Sequence, residues 1–194
     1  MYFENETEKV LSSITTAWRG HKDFSMWLVN RIKPTTIVEL GVDYGFSTLC
    51  FCLPNIGTVY GIDCFEGDVQ TGIRNTENSV IENCKKLQIQ NLVLIKDKFD
   101  DVQRRWTKPI DILHIDGLHT YDAVSNDYAK WQKFVREDGI VLFHDTCVED
   151  PSFGVKKLFD SIQLPKANFK HSSGLGIVSK NSQLINEIKK LFDI

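Results

Sequence analysis

Residues 38–48 read VELGVDYGFST, and 22 residues after Gly41 comes Asp63, closing a second apolar run, TVYGID (58–63). An apolar strand meets an acidic residue, then a glycine turn, then a helix start, and a second strand ends in a carboxylate. That is the layout of a βαβ unit that holds a nucleoside. The turn lets a ligand approach the backbone, and the later carboxylate accepts ribose hydroxyls.

The rest of the chain alternates strand and helix signals, with no linker, repeat or low-complexity tract. Val10, Leu11, Ile14, Ala17 and Trp18 lie at helical spacing within 6–18, and Phe24, Trp27, Leu28 and Ile32 repeat the pattern until Pro34 stops the helix. TTIVEL (35–40), TVYGID, LVLI (92–95), IDILHI (110–115) and GIVLFH (139–144) are continuous apolar runs, as strands covered on both faces require. Helices are predicted over about 45–53, 77–87, 154–162 and 182–192, with a polar loop at 66–76 and strands near 167–171 and 175–179. A further helix carries Tyr121, Val124, Tyr128, Trp131 and Val135 on one face, with Thr120 as its N-cap. The alternation predicts an α/β, doubly wound, Rossmann-like fold with a seven-stranded, mostly parallel sheet and an antiparallel last strand. The reading is one domain over 1–194, with the N-terminal helices of 6–32 as a cap. Ligands of such a sheet bind outside the carboxyl ends of its strands. Glu39, Asp63, Asp97, Asp116 and Asp145 fall at those ends.

Composition narrows the function. A net charge of −3 argues against a nucleic-acid surface. No apolar run is long enough for a membrane span, and the acidic start MYFENETEKV lacks a signal-peptide core. The five cysteines, at 50, 52, 64, 84 and 147, have no zinc-site spacing and read as reduced thiols of a cytoplasmic protein.

The turn itself selects among nucleosides. A dinucleotide fingerprint reads GxGxxG, whereas this turn reads Gly41-Val42-Asp43-Tyr44-Gly45-Phe46. Asp43 stands where the middle glycine would be, and its charge opposes a pyrophosphate. Glu39 and Asp43 together suit a ligand with an amine and a sulfonium and no phosphate, which is S-adenosylmethionine.

VELGVDYGFST resembles motif I of the class I S-adenosylmethionine-dependent methyltransferases. GIDCFEGD (61–68), LHIDGLHTYDAVSNDYAKW (113–131), IVLFHDT (140–146), FGVKKLFDSI (153–162) and FKHSSGLGIV (169–178) are similar to the successive blocks of a small branch of that family, which includes macrocin-type sugar O-methyltransferases. The resemblance runs from about residue 35 to 180. It implies that Glu39, Gly41 and Gly45, with Tyr44 in the same turn, shape the methionine end of the cofactor site. It implies that Ser47 and Thr48 reach the cofactor carboxylate and that Asp63 takes the ribose diol. Cys64 and Phe65 then line the adenine, Phe65 by stacking, and Asp97 meets its amino group. Asp116 borders both cofactor and acceptor.

Methyl transfer to a hydroxyl needs alignment and removal of a proton. Asp116 and Asp145, at adjacent strand ends, can hold Mg²⁺, which lowers the hydroxyl's pKa. His119 is the candidate base, with His144 as its substitute or as a further metal ligand. His114 reads as a core histidine, and His21 and His171 carry no motif. The implied acceptor is a sugar, glycan or other small hydroxylated molecule, bound by the first two helices, the loop 66–76 and the segment 146–154. Aromatic residues of the N-terminal helices would support a homodimer. Two alternatives stay open: a domain that binds S-adenosylmethionine without transfer, and an NAD(P)-dependent oxidoreductase.

Overall fold

The computed structural model describes residues 2–194, with side chains from residue 6. The elements run α1 (Tyr2–Ser13), a 3-10 turn (Trp18–His21), α2 (Lys22–Ile32), β1 (Thr36–Leu40), α3 (Phe46–Cys52), β2 (Thr58–Asp63) and a short hairpin of β3 (Gly67–Asp68) and β4 (Gly72–Ile73). They continue with α4 (Glu77–Lys86), β5 (Leu92–Lys96), α5 (Phe99–Arg105), β6 (Ile110–Ile115), α6 (Tyr121–Trp131), a 3-10 turn (Gln132–Phe134) and β7 (Val135–His144). α7 (Val155–Ser161), β8 (Lys166–Phe169), β9 (Leu175–Ser179) and α8 (Ser182–Phe192) complete the chain.

Seven strands form one sheet in the order β5-β2-β1-β6-β7-β9-β8. β1, β2, β5, β6 and β7 pair in parallel, and the last strand, β9, runs antiparallel to both neighbours. This is the predicted doubly wound sheet with an antiparallel last strand. Strand order reverses between β1 and β6, so the crevice opens where those two strands end.

Alternate residues feed two cores, because successive side chains of a strand point to opposite faces. Ile37, Ile112, Ile140 and Leu142 pack with Leu11, Leu28, Phe51 and Ile188 on one face. Val38, Leu113, Val141 and Phe143 pack with Val102, Val124, Trp131 and Leu158 on the other. Each large side chain so buried contributes about 1.5–3 kcal/mol.

Several elements differ from the sequence expectation. The first helix ends at Ser13 instead of reaching residue 18, because Arg19 turns back and donates to the carbonyls of Leu11 (3.1 Å) and Ile14 (2.6 Å). Val135 starts β7, pairing with Ile110, and so leaves the helical face assigned to it. The loop 66–76 holds the β3–β4 hairpin. Thr120 caps α6 as predicted, accepting from the Ala123 amide. Three aromatic residues of the N-terminal segment pack within the chain. Trp18 is buried against His114 and Phe51, while Phe24 and Trp27 pack on Phe192. Among the described residues no helix is long and apolar enough to cross a membrane. All five cysteines are free, and burial pushes Cys50 and Cys52 far above the usual thiol range.

Candidate active site

The glycine turn lies directly against the end of β6. Gly41 has φ +93°, and a Cβ there would stand 2.1 Å from the Asp116 carbonyl oxygen, so only glycine lets the two strand ends come this close. Gly45, also left-handed, leads into α3. Across the turn Asp63 accepts from three backbone amides: Val42 (2.8 Å) and Asp43 (2.9 Å) at Oδ2, and Phe65 (2.7 Å) at Oδ1. Charge-assisted bonds of this kind are worth about 1.5–3 kcal/mol each. A carboxylate has about four lone-pair sites, which leaves Oδ1 room for a ligand hydroxyl.

The turn and Asp63 open on a cavity of about 400 Å³, within the usual range for a small-molecule site. Gly41, Tyr44, Gly45, Ser47, Asp63 and Cys64 line it, and so does Asp97, whose carboxylate the Arg105 guanidinium (2.7 Å) holds below the usual range. Asp116, His119, His144 and Asp145 line the same cavity.

Glu39, Thr48 and Phe65 do not line it, against the expectation of direct cofactor contact. Glu39 is fully buried and its oxygens are taken inside the protein, by the hydroxyls of Ser47 (2.5 Å) and Thr48 and by His114 Nδ1 (2.9 Å). Trp18 Nε1 donates to the other ring nitrogen of His114 at 3.2 Å, so this histidine is a saturated core residue. The Ser47 and Thr48 hydroxyls are therefore committed to Glu39. Phe65 packs with Val42 and Val80 behind the turn instead of presenting its ring to a base.

The other end of the cavity is a cluster of acids and histidines. His119 Nε2 lies 2.8 Å from Asp145 Oδ2 and 3.6 Å from Asp116 Oδ1. His144 Nδ1 lies 3.2 Å from Asp116 Oδ1 and 3.4 Å from Asp145 Oδ2. Burial alone would lower both imidazoles, but Asp116 and Asp145 outweigh it, raising His119 to about 9 and His144 to about 10. Burial likewise would raise the two carboxyls, yet His144 and His119 keep both below the usual carboxylate range. Ligand atoms of Asp116, His144 and Asp145 all lie within 4.8 Å of one another, close enough to share one cation. His21 and His171 stack beside this cluster, with ring centroids 4.7 Å apart.

Two residues that the sequence placed only in the polar acceptor loop 66–76 contribute in other ways. Gln70, on the β3–β4 hairpin, accepts at Oε1 from the His119 backbone N–H (3.0 Å) and lies 2.9 Å from His119 Nδ1. Since an amide oxygen only accepts, Nδ1 carries the hydrogen, and Nε2 is left facing the carboxylates. Arg74, at the hairpin's base, grips both oxygens of Asp43 (2.8 and 2.9 Å). The acid that replaces the middle glycine thus ties the hairpin over the turn. Phe153 stacks on His119 at 4.6 Å, and Ile14–Trp18 form the far wall of the cavity. The only available signal was the Asp68–Thr71 turn chemistry, in which Asp68 accepts from the Gln70 and Thr71 amides.

The methyltransferase-domain family matches residues 38–146, more than half of the chain and the stretch that carries the glycine turn, Asp63 and the acid–histidine cluster. The chain belongs to the methyltransferase domain family. That membership, with the class I sheet order, replaces the oxidoreductase alternative. The methyltransferase chain resembles several solved structures in fold. An O-methyltransferase of Bacillus cereus, in complex with SAH (S-adenosylhomocysteine), superposes with a TM-score of 0.67 at 14% identity, covering 91% of each chain. TomG of Streptomyces achromogenes, an O-methyltransferase of tomaymycin synthesis solved with SAM (S-adenosylmethionine), gives 0.66 at 13% identity over 88% of this chain and 89% of that one. An SAH-bound methyltransferase of Podospora anserina gives 0.66 at 13% over 91% and 86%. In sequence, the uncharacterized protein y4gI of Sinorhizobium fredii is 33% identical over 175 residues, 84% of this methyltransferase chain. The chain spans 19% of that relative's length.

Proposed function

We propose that this methyltransferase binds S-adenosylmethionine between the glycine turn and Asp63 and methylates a hydroxyl on a sugar or other small hydroxylated acceptor, assisted by a divalent cation. The observation that carries the reading is the sharing of one cavity by two carboxylate systems: Asp63, set by backbone amides, and Asp116–Asp145, set among histidines. The residues fit the cofactor. The cavity has the right size, Asp63 keeps an open acceptor position, and no lysine or arginine lies in the glycine turn to favour a phosphate. They also fit a cation, given the three convergent ligand atoms.

When bound, S-adenosylmethionine supplies an electrophilic methyl group, and a divalent cation supplies the charge that acidifies a hydroxyl. The chain's own residues do the rest. Asp63 orients the ribose, and Gly41 and Gly45 let the methionine end lie against backbone. Asp116 and Asp145 would hold the cation, which would supply positive charge beside the acceptor hydroxyl. Gln70 holds the His119 Nδ1–H, and a cation on Asp116 and Asp145 would release the proton those carboxylates keep on Nε2, so that Nε2 can take the hydroxyl proton. The β3–β4 hairpin and Ile14–Trp18 border the cavity in which that step takes place. The polar hairpin residues Asp68, Gln70 and Thr71 suit a hydroxylated acceptor.

The test is transfer of labelled methyl from S-adenosylmethionine to a panel of sugars, sugar conjugates, small phenols, amines and thiols, with and without chelator. The reading predicts label in a hydroxylated acceptor, lost on chelation and restored by a divalent metal. Transfer that is unchanged by chelator removes the cation, and label confined to amine or thiol acceptors removes O-methylation.

A further inference from the structure

We infer that His144 is itself a metal ligand, through Nδ1, and that the Asp116–His144–Asp145 set prefers a first-row transition cation to Mg²⁺. This rests on the methyltransferase reading for the use of the metal, but its evidence is the geometry of His144.

The argument starts at the far side of the ring. His144 Nε2 lies 3.0 Å from the carbonyl oxygen of Ser172. A carbonyl only accepts, so Nε2 carries a hydrogen and donates it. His21 Nε2 reaches the same oxygen at 3.2 Å, so both lone pairs of that carbonyl are used and its position is fixed. The turn that presents it is tied to the β7 end, because the Asp145 amide donates to the Gly174 carbonyl (3.1 Å) and the Cys147 amide to the Ser173 carbonyl (2.8 Å). Without metal, Asp116 and Asp145 keep a hydrogen on Nδ1 as well, and a cation that takes the place of that hydrogen meets the Nδ1 lone pair. That lone pair faces Asp116 Oδ1 at 3.2 Å and Asp145 Oδ2 at 3.4 Å. His144 is 5% exposed and sits in the wall of the cavity. Three lone pairs from three side chains converge on one point, and a shared cation satisfies all of them. A backbone carbonyl holding the other ring N–H is the usual outer partner of a metal-bound histidine.

The donor set then chooses the ion. Mg²⁺ demands hard oxygen ligands, whereas imidazole suits first-row transition ions such as Fe²⁺ and Zn²⁺. One nitrogen with two carboxylate oxygens, and room for further oxygen ligands from water or an acceptor, fits the second group.

The experiment uses the full chain stripped with chelator and titrated with MnCl₂ and MgCl₂ by calorimetry. Electron spin echo envelope modulation of the Mn²⁺ form, with ¹⁵N-histidine labelling, then looks for nitrogen coupling. S-adenosylmethionine binding is measured on the same preparation. We expect one Mn²⁺ per chain, bound at least about tenfold more tightly than Mg²⁺, with the coupling of a directly ligated imidazole. His144→Asp should lose the nitrogen coupling and bring the two affinities within a few-fold, and His119→Ala should keep the coupling. Absence of metal binding, Mn²⁺ binding without nitrogen coupling, or coupling that persists in His144→Asp overturns the inference. The wild-type spectrum decides even if a variant fails to fold. Loss of metal binding with S-adenosylmethionine binding intact sinks this inference alone, whereas metal binding without S-adenosylmethionine binding sinks the methyltransferase reading.

Discussion

The two ends of the cavity both rest on aspartates at strand ends, yet they stabilise those aspartates in opposite ways. Asp63 is held by three main-chain amides, whose charge state never changes. Asp116 and Asp145 are held by His119 and His144, which titrate and can be displaced by a cation. The first arrangement suits a binding role, because backbone donors give a fixed shape at all working pH values. The second suits chemistry, because protons and metal can enter and leave it. The difference also explains the placement of the glycines. The turn can approach Asp116 at the end of β6 this closely only where Gly41 carries no Cβ.

The comparison can be broken most sharply at the acid–histidine end. Asp116→Asn or Asp145→Asn should lower kcat by about 10²–10⁴, the usual contribution of a positioned acid–base group. Calorimetry should meanwhile find S-adenosylmethionine affinity for Asp145→Asn within a few-fold of wild type. Equal losses of affinity and turnover in Asp145→Asn would erase the division of labour. At the other end, Asp63→Asn should weaken S-adenosylmethionine by about 10–100-fold, the equivalent of one charge-assisted bond. Its melting temperature should fall as well, since amides of the turn lose their acceptor. A smaller effect is expected at the join between hairpin and base. Gln70→Leu leaves the His119 backbone N–H and Nδ1–H without an acceptor and should lower kcat about tenfold, as a cost near 1.4 kcal/mol implies. Its S-adenosylmethionine affinity should hardly move in a binding assay.

A separate effect is on stability against pH, measured by denaturant unfolding in chelator. His119 and His144 are raised in the folded state to about 9 and about 10, from an ordinary 6.5. Groups raised in this way stabilise the fold fully below pH 6.5, and that contribution is lost as pH climbs through 9 to 10. Wild type should therefore lose stability between pH 6.5 and 10 relative to a His119→Asn, His144→Asn double variant. Parallel pH curves for the two proteins would contradict the ion-pair description of this end.

What was legible in the sequence follows the range of the interactions. The five parallel strands, the glycine turn and the Thr120 cap depend on residues close in sequence, and periodicity and turn chemistry report them directly. α5 (FDDVQRR) was not assigned because only Val102 of its seven residues is buried, which leaves no apolar stripe to read. The hairpin strands have two residues each, too few for any alternation. Glu39 was read as a cofactor contact because its true partners are distant. His114 lies 75 residues along the chain, and Trp18 closes the relay from 96 residues before His114. Gln70 looked like one polar loop residue among several, and only folding sets it against His119, 49 residues away. The cluster of Asp116, His119 and Asp145 was visible as types at strand ends. That His144 faces both carboxylates, with Ser172 behind it, was not.

The central claim is that this chain binds S-adenosylmethionine through the glycine turn and Asp63. Isothermal calorimetry of the chain with S-adenosylmethionine tests it most directly, with NADH as the comparison ligand and Asp63→Asn as the comparison protein. The account predicts saturable one-to-one binding of S-adenosylmethionine, at least tenfold weaker in Asp63→Asn, and no binding of NADH. No heat with S-adenosylmethionine, or equal affinity in the variant, would contradict it.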